Sequence, residues 1–221
     1  MLRHPAAPWV APFVYFILCL ALLPKLGLPP RVELAFWLFS GLAAVWFFSR
    51  RILKFEASHP WLSLLVGAVV FAAWIAPDTL WPGWRSHWLF ANPLFGQAGT
   101  SLAPDALQDP LSLALRSARA IVLVPIVEEL FWRGWLIRWI ENPDFEKVPL
   151  GSWHARAFWI TAVLFALEHG SFWEVGLAAG IAYNAWMVRT RNIGDLILAH
   201  AATNACLCGW VLYTGRFEYW M

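Results

Sequence analysis

Residues 121–140 read I-V-L-V-P-I-V-E-E-L-F-W-R-G-W-L-I-R-W-I, an apolar run long enough to cross a bilayer, with two adjacent glutamates, Glu128 and Glu129, near its middle. An ionisable side chain at bilayer depth costs on the order of 3 kcal/mol on insertion scales, so a pair of them requires compensation. Glu129 and Arg133 stand four residues apart, hence on one face of a helix, and an arginine paired with a carboxylate lowers the cost of burying both. Glu128 lacks that partner. Just upstream, Pro125 has no amide to donate, which frees the carbonyl of Ile121 and favours a kink before the glutamates. Two roles fit the pattern: an ion cluster that holds helices together, or a reactive site.

The rest of the chain is membrane material. Of its 221 residues 60% are hydrophobic, 14% are charged and 17 are tryptophan, which is too apolar for a soluble domain of this length. Working outward from 121–140, seven candidate spans emerge, at residues 9–28, 32–48, 61–76, 111–140, 155–169, 174–188 and 193–213. The first is expected to be a transmembrane helix, because no small-residue cleavage site follows it and Pro24-Lys25 reads as a span end. The expected fold is all-α, a polytopic bundle of about seven transmembrane helices forming one integral membrane domain over 1–221. Residues 77–110, rich in Pro, Gly, Trp and Asp, read as a long loop at the membrane surface. In that loop Trp81, Trp84 and Trp88 suit interfacial anchoring better than substrate binding.

Charge sets orientation and excludes one partner class. The basic loops 50–56, 138–156 and 189–191 fall on one side, cytoplasmic by the positive-inside rule, and Arg3 agrees in placing the N-terminus inside. Lys25, Arg31 and Arg85 fall on the other side. A net charge of +2 without a basic cluster gives no support to nucleic acid binding. Cys19, Cys206 and Cys208 match neither a disulfide framework nor a zinc spacing and read as small core residues.

Three further polar groups share the last spans with the glutamates. His169 ends the fifth span in F-A-L-E-H, and His200 and Asn204 lie four apart on one face of the last. A carboxylate in an apolar site, beside an imidazole, can take a proton from water and make it a nucleophile. A second histidine and an amide supply donors for the oxyanion formed at a carbonyl. Zinc is the competing use of two histidines and a glutamate, but H-E-x-x-H is absent and no cofactor motif is visible, so the expected hydrolysis is metal-free and insensitive to chelators. At ~1.5 Å per residue from the basic loops, Glu128 and His169 come out roughly 18 to 21 Å deep, Asn204 about 16 Å and His200 about 10 Å. This leaves open the side on which the cleft opens.

These residues carry a resemblance. E-E-x-x-x-R at Glu128, Glu129 and Arg133, F-x-x-x-H at Phe165 and His169, and H-x-x-x-N at His200 and Asn204 occur in the order seen in the CAAX protease and bacteriocin-processing family of intramembrane endopeptidases. G-L-A-A-G-I-A-Y at 176–183 and I-L-A-H at 197–200 are similar to that family too, so that the resemblance covers residues 110–210. It implies a glutamate-dependent protease, with Glu128 as general base, His169 as its partner in holding the water, His200 and Asn204 as the oxyanion hole, and Glu129 and Arg133 supporting, Arg133 fixing either the site or a substrate carboxylate. Trp132, before the arginine, is bulkier than the family's usual residue and is expected to narrow the cleft. The short chain resembles bacterial inner-membrane members, including those tied to exosortase-type C-terminal sorting. The implied partners are therefore the bilayer and a membrane-borne protein or peptide substrate. A proton-coupled transporter, which would call for inverted repeats not seen here, and a non-catalytic binding or immunity protein are the alternatives.

Overall fold

Prolines start three of the helices, and a glycine stops the last. The structure, a computed structural model, describes residues 4–220. Its principal helices are α1 (Ala7–Leu22), α2 (Pro30–Ser49), α3 (Pro60–Leu80), α4 (Pro110–Glu141), α5 (Ala155–Glu168), α6 (Trp173–Thr190) and α7 (Ile193–Thr214). Three begin on a proline, whose missing amide costs nothing at the first helical position. Asp109 caps α4 by accepting from the Ser112 amide at 3.0 Å, and Asn192 caps α7 by accepting from the Gly194 amide at 2.8 Å. α7 stops at Gly215, whose φ of 70° is the left-handed cap that glycine adopts without strain.

All seven expected spans are helical, and no strand occurs among the described residues. Five helices are long and apolar enough to cross a membrane: α1 with its following turn, α2, α3, α4 and α7. The chain is thus an integral, multi-pass membrane protein. α5, with 14 residues, rises only ~21 Å against a ~30 Å hydrocarbon core, and it pairs with α6 as a short hairpin. α3 runs through Pro77 to Leu80 rather than ending near Ala76, since a proline in the last turn leaves its own carbonyl free to accept from the Trp81 amide. Cys19 and Cys208 are buried, but Cys206 is exposed: two residues on a helix are ~200° apart, so it cannot share the buried face of Cys208.

Packing is set by close approach at small residues. α3 lies on α7, where a side chain at Gly67 would meet Ala202 Cβ at 2.7 Å, and Thr203 Oγ1 donates to the Gly67 carbonyl at 2.9 Å. α5 lies on α6 at Gly180, where an added Cβ would come within 3.1 Å of the Ala162 carbonyl oxygen. α1 pairs with α2, and α4 threads between these groups, touching α1, α2 and α7.

The two ends of the bundle differ in charge. At one end Asn192 donates to the Glu56 carbonyl at 3.0 Å, Asp195 accepts from the Ser58 and His59 amides, and Gly151 sits against Arg191. The three basic loops therefore share that end. Arg3 lies outside the described residues. At the other end, residues 81–109 are pinned down rather than loose: Arg85 pairs with Asp78 at 3.0 Å and with Glu174 at 2.6 Å, and Arg31 bonds Asp109. Trp81 and Trp88 are exposed there, as interfacial anchors would be, whereas the Trp84 indole donates to Glu174 at 3.1 Å and belongs to the pin.

Candidate active site

Adjacent positions on a helix point ~100° apart, and the two glutamates divide accordingly. Glu129 is fully buried and faces α6 and α7. Its oxygens each lie 3.2 Å from Arg133 Nη1, and one lies 2.7 Å from His200 Nδ1. Arg133 is in turn used on every side: Nε donates to Asn184 Oδ1 at 2.8 Å, Nη2 reaches the Gly180 carbonyl, and the guanidinium stacks 4.4 Å over Phe165. Asn184 is itself held by the Phe158 carbonyl at 2.9 Å. The Arg133 guanidinium is fully buried and bonded within the protein through Nε, Nη1 and Nη2.

Glu128 faces the other way, into a cavity of about 260 Å³ also lined by His169, His200 and Asn204. Its Oε2 is buried without a hydrogen-bond partner among the described residues. His169 Nδ1 lies 2.7 Å from the Phe165 carbonyl, an acceptor only, so Nδ1 carries the hydrogen and Nε2 keeps its lone pair. The ring is wedged between Phe165, at 4.7 Å, and Trp74, at 5.1 Å. Behind it is Gly176, where a Cβ would come within 3.2 Å of the imidazole. His200 stacks at 5.0 Å on Tyr183, whose hydroxyl donates to Thr203 at 2.7 Å. The bond from His200 to Glu129 brings it level with the glutamates, not shallower as a straight count of residues suggested.

The long helix α4 reaches this arrangement by changing register. It is π-helical over Arg119–Leu123 and again over Leu130–Leu136, on either side of the glutamates. The Val124 amide donates to the Arg119 carbonyl, five residues back, so the carbonyl whose partner would be Pro125 is that of Ala120. Asn204 Nδ2 donates to this carbonyl at 2.7 Å. The proline's freed acceptor was expected one residue later, at Ile121, because an α-helical register was assumed. The bond holds the Asn204 amide at the cavity wall.

The cavity contains charges that spacing did not bring forward. Glu168, next to His169, lines it, as do Arg116 and Arg119 of α4. All three are ionisable groups within or at the end of apolar runs, which is the signal that could have found them. Trp132 does not narrow the cavity: it packs edge-on between Phe13 and Phe165, at 5.9 Å from each. Among the described residues no three His, Cys, Asp or Glu side chains are grouped closely enough to hold a metal ion. The lining residues include the first half of α4, the ends of α1, α3 and α5, the first half of α2 and the middle of α6 and α7, so the cavity occupies the half of the bundle away from the basic loops.

Residues 110–206 match the family model described as Rce1-like, type II CAAX prenyl endopeptidase Rce1-like. That segment holds all three motifs, and the resemblance read from them is borne out over it. The family is one of membrane proteases, hence of hydrolases acting on membrane-associated peptides. No curated protein and no solved structure matches the chain.

Proposed function

We propose that residues 110–210 of this Rce1-like protein form the catalytic core of an intramembrane endopeptidase that activates water with a glutamate. One observation carries the reading. Both histidines have Nδ1 engaged, His169 by the Phe165 carbonyl and His200 by Glu129, which leaves both Nε2 atoms for the cavity that holds Glu128.

A water accepted by Glu128 and by His169 Nε2 has both hydrogens directed and a lone pair free. As it attacks the peptide carbonyl, Glu128 takes one proton, and the carbonyl oxygen becomes an oxyanion. Asn204 Nδ2 and His200 Nε2 are its donors. His200 donates from Nε2 as an imidazolium, with its other hydrogen on the Glu129 carboxylate, which is how Glu129 and Arg133 act on the reaction without touching the substrate. Collapse of the intermediate breaks the C–N bond, and Glu128 returns its proton to the leaving amine. The second water hydrogen stays on the acid until His169 Nε2 accepts it and passes it on to solvent, so the products are a new carboxylate and a new amine, and no metal is needed.

The basic loops at one end of the bundle support a cytoplasmic N-terminus, with the cavity in the half away from the cytoplasm. The substrate we favour is a membrane peptide or C-terminal sorting tail, and the host membrane a bacterial inner membrane. The test compares new peptide termini in host-cell membranes containing wild type or Glu128→Ala at equal, folded abundance. Termini that vanish in the variant are expected, and with the purified protein their formation is expected to survive chelation. Unchanged termini would favour a binding or transport role. Activity lost to a chelator and restored by zinc would replace the glutamate mechanism with a metal one.

A further inference from the structure

Glu168 ends α5 one residue before His169, and the peptidase reading leaves it without a task. It lines the cavity and, unlike Glu128 and Glu129, is exposed. Among the described residues it forms no ion pair, and the cation that bears on it, Arg133, is already bonded to Glu129, Asn184 and the Gly180 carbonyl. The Trp132 indole N–H lies beside it without closing a hydrogen bond. Arg116 and Arg119 enter the same cavity from the start of α4, at least nine residues before Glu128 and so ~13 Å or more away along the axis. Of the charged groups that act on Glu128, Glu168 is the strongest, ahead of the adjacent Glu129. Glu128 itself, 6% exposed, keeps Oε2 without a hydrogen-bond partner among the described residues, so this space is completed by a polar guest. Two carboxylates thus face one space in an apolar bundle, and like charges so placed need a compensating partner.

Resting on the reading of the cavity as a peptidase site, we propose that Glu168 binds a basic side chain of the substrate, a lysine or arginine next to the bond that is cut. The ligand is a cation because an ionised carboxylate offers acceptors only, and a charged donor bonds it most strongly. It is an organic cation because no third His, Cys, Asp or Glu among the described residues completes a metal site with the pair. Position follows from the neighbours of Glu168. His169, the next residue, holds the water in the proposed reaction, and Glu168 is the charge that bears most strongly on Glu128, so its ligand stands beside the scissile carbonyl. A lysine or arginine suits a site at this depth because its stem is apolar and only its tip needs the carboxylate. By covering Glu168, the cation removes the like charge that faces Glu128, and the substrate supplies part of the site that cuts it.

The test separates recognition of the cation from cleavage. With the inactive Glu128→Gln protein in phosphatidylcholine discs, calorimetry compares N-acetyl-Leu-Ala-Lys-Ala-Leu amide with the same peptide carrying norleucine in place of lysine, after subtraction of binding to empty discs. The acetyl cap removes the ammonium of the chain start, so that only the side chain is read. The lysine peptide is expected to bind roughly ten- to a hundredfold more tightly. Glu168→Gln is expected to erase that ratio, and Glu168→Arg to move the preference to a peptide with glutamate at the same place. The wild type, given an N-acetylated peptide library read by mass spectrometry, is expected to cut beside lysine or arginine. Equal binding of the lysine and norleucine peptides overturns the proposal, and so does a ratio unchanged in folded Glu168→Gln. Cleavage by the wild type that ignores basic residues also overturns it, while leaving the peptidase reading intact. Lysine-selective binding without cleavage of any peptide by the wild type would leave the cation site standing and the peptidase reading refuted.

Discussion

Glu128 and Glu129 are neighbours in the chain and opposites in their surroundings. Glu129 spends its charge on Arg133 and His200, inside a network that continues through Asn184 to the backbone of α5. Glu128 has a buried oxygen without a hydrogen-bond partner among the described residues and a cavity in front of it. The contrast teaches how one helix can carry a saturated carboxylate and an unsaturated one at consecutive positions. In the mechanism we propose, the first orients the machinery and the second takes the proton.

Swapping the two single variants is the sharpest way to break this comparison. Glu128→Gln is expected to lower peptide cleavage by roughly 10²- to 10⁴-fold while leaving thermal stability intact. Glu129→Ala should instead strand the Arg133 charge and cost about 3 to 5 kcal/mol, seen as a large fall in unfolding temperature in detergent. A Glu128 variant that unfolds, or a Glu129 variant as stable as wild type, would dissolve the distinction.

Asn204 combines both characters on one side chain. Asn204→Ala is expected to reduce kcat by roughly 10²- to 10³-fold through loss of an oxyanion donor. It should also cost about 1 to 3 kcal/mol, because the Ala120 carbonyl loses its partner. A smaller perturbation tests the reactive side alone. In Gly176→Ala the added methyl meets the His169 ring at 3.2 Å, and a shift of a few tenths of an ångström should cut kcat about tenfold with little change in stability.

Asp109, at the mouth of α4, gives the mildest comparison: a carboxylate saturated like Glu129 but outside the apolar spans. Arg31 donates to it at 2.8 and 2.6 Å and Ser112 Oγ at 2.7 Å, and these bonds, Arg31 first, hold its carboxyl well below the usual carboxylate range. A lowered folded-state value means that the stabilisation is fully present above the ordinary carboxylate pKa of about 3.9 and fades as the pH falls through the lowered value. The small gap in unfolding temperature between wild type and Asp109→Asn should therefore persist from neutral pH down to about pH 4 and close below it.

Much of this site was legible because its motifs are local. E-E-x-x-x-R and H-x-x-x-N are spacings of one helical turn, so that Glu129 facing Arg133, and His200 sharing a face with Asn204, follow from the period alone. What stayed hidden depends on contacts between helices. Asn184 as the partner of Arg133, the pairing of Glu129 with His200, and the entry of Glu168 into the cavity all require knowing how α5, α6 and α7 close around α4. The count of membrane-spanning helices stayed open for a related reason: α5 buries Phe158 and Phe165 in the bundle while Trp159, Val163 and Leu167 stay exposed, and apolarity alone does not separate packing from crossing. Pro125 announced a disturbance in the ladder, but its position shifted to Ala120 because a π turn, unlike a kink, has no single-residue signature.

That π turn also sets the angular phase of the whole helix. Arg116, Ala120, Val124 and Glu128 all line the cavity, at intervals of four. In an ideal α-helix each such step drifts ~40° around the axis, and three steps would carry Glu128 ~120° away from Arg116. The wider turn over Arg119–Leu123 takes up that drift. Winding the same twelve residues as a regular α-helix, with none deleted, would rotate the arginine end about a third of a turn away from the glutamate and leave two half-sites that no longer see the same space, whereas deleting one residue along with the π turn would keep them within ~20° of one face.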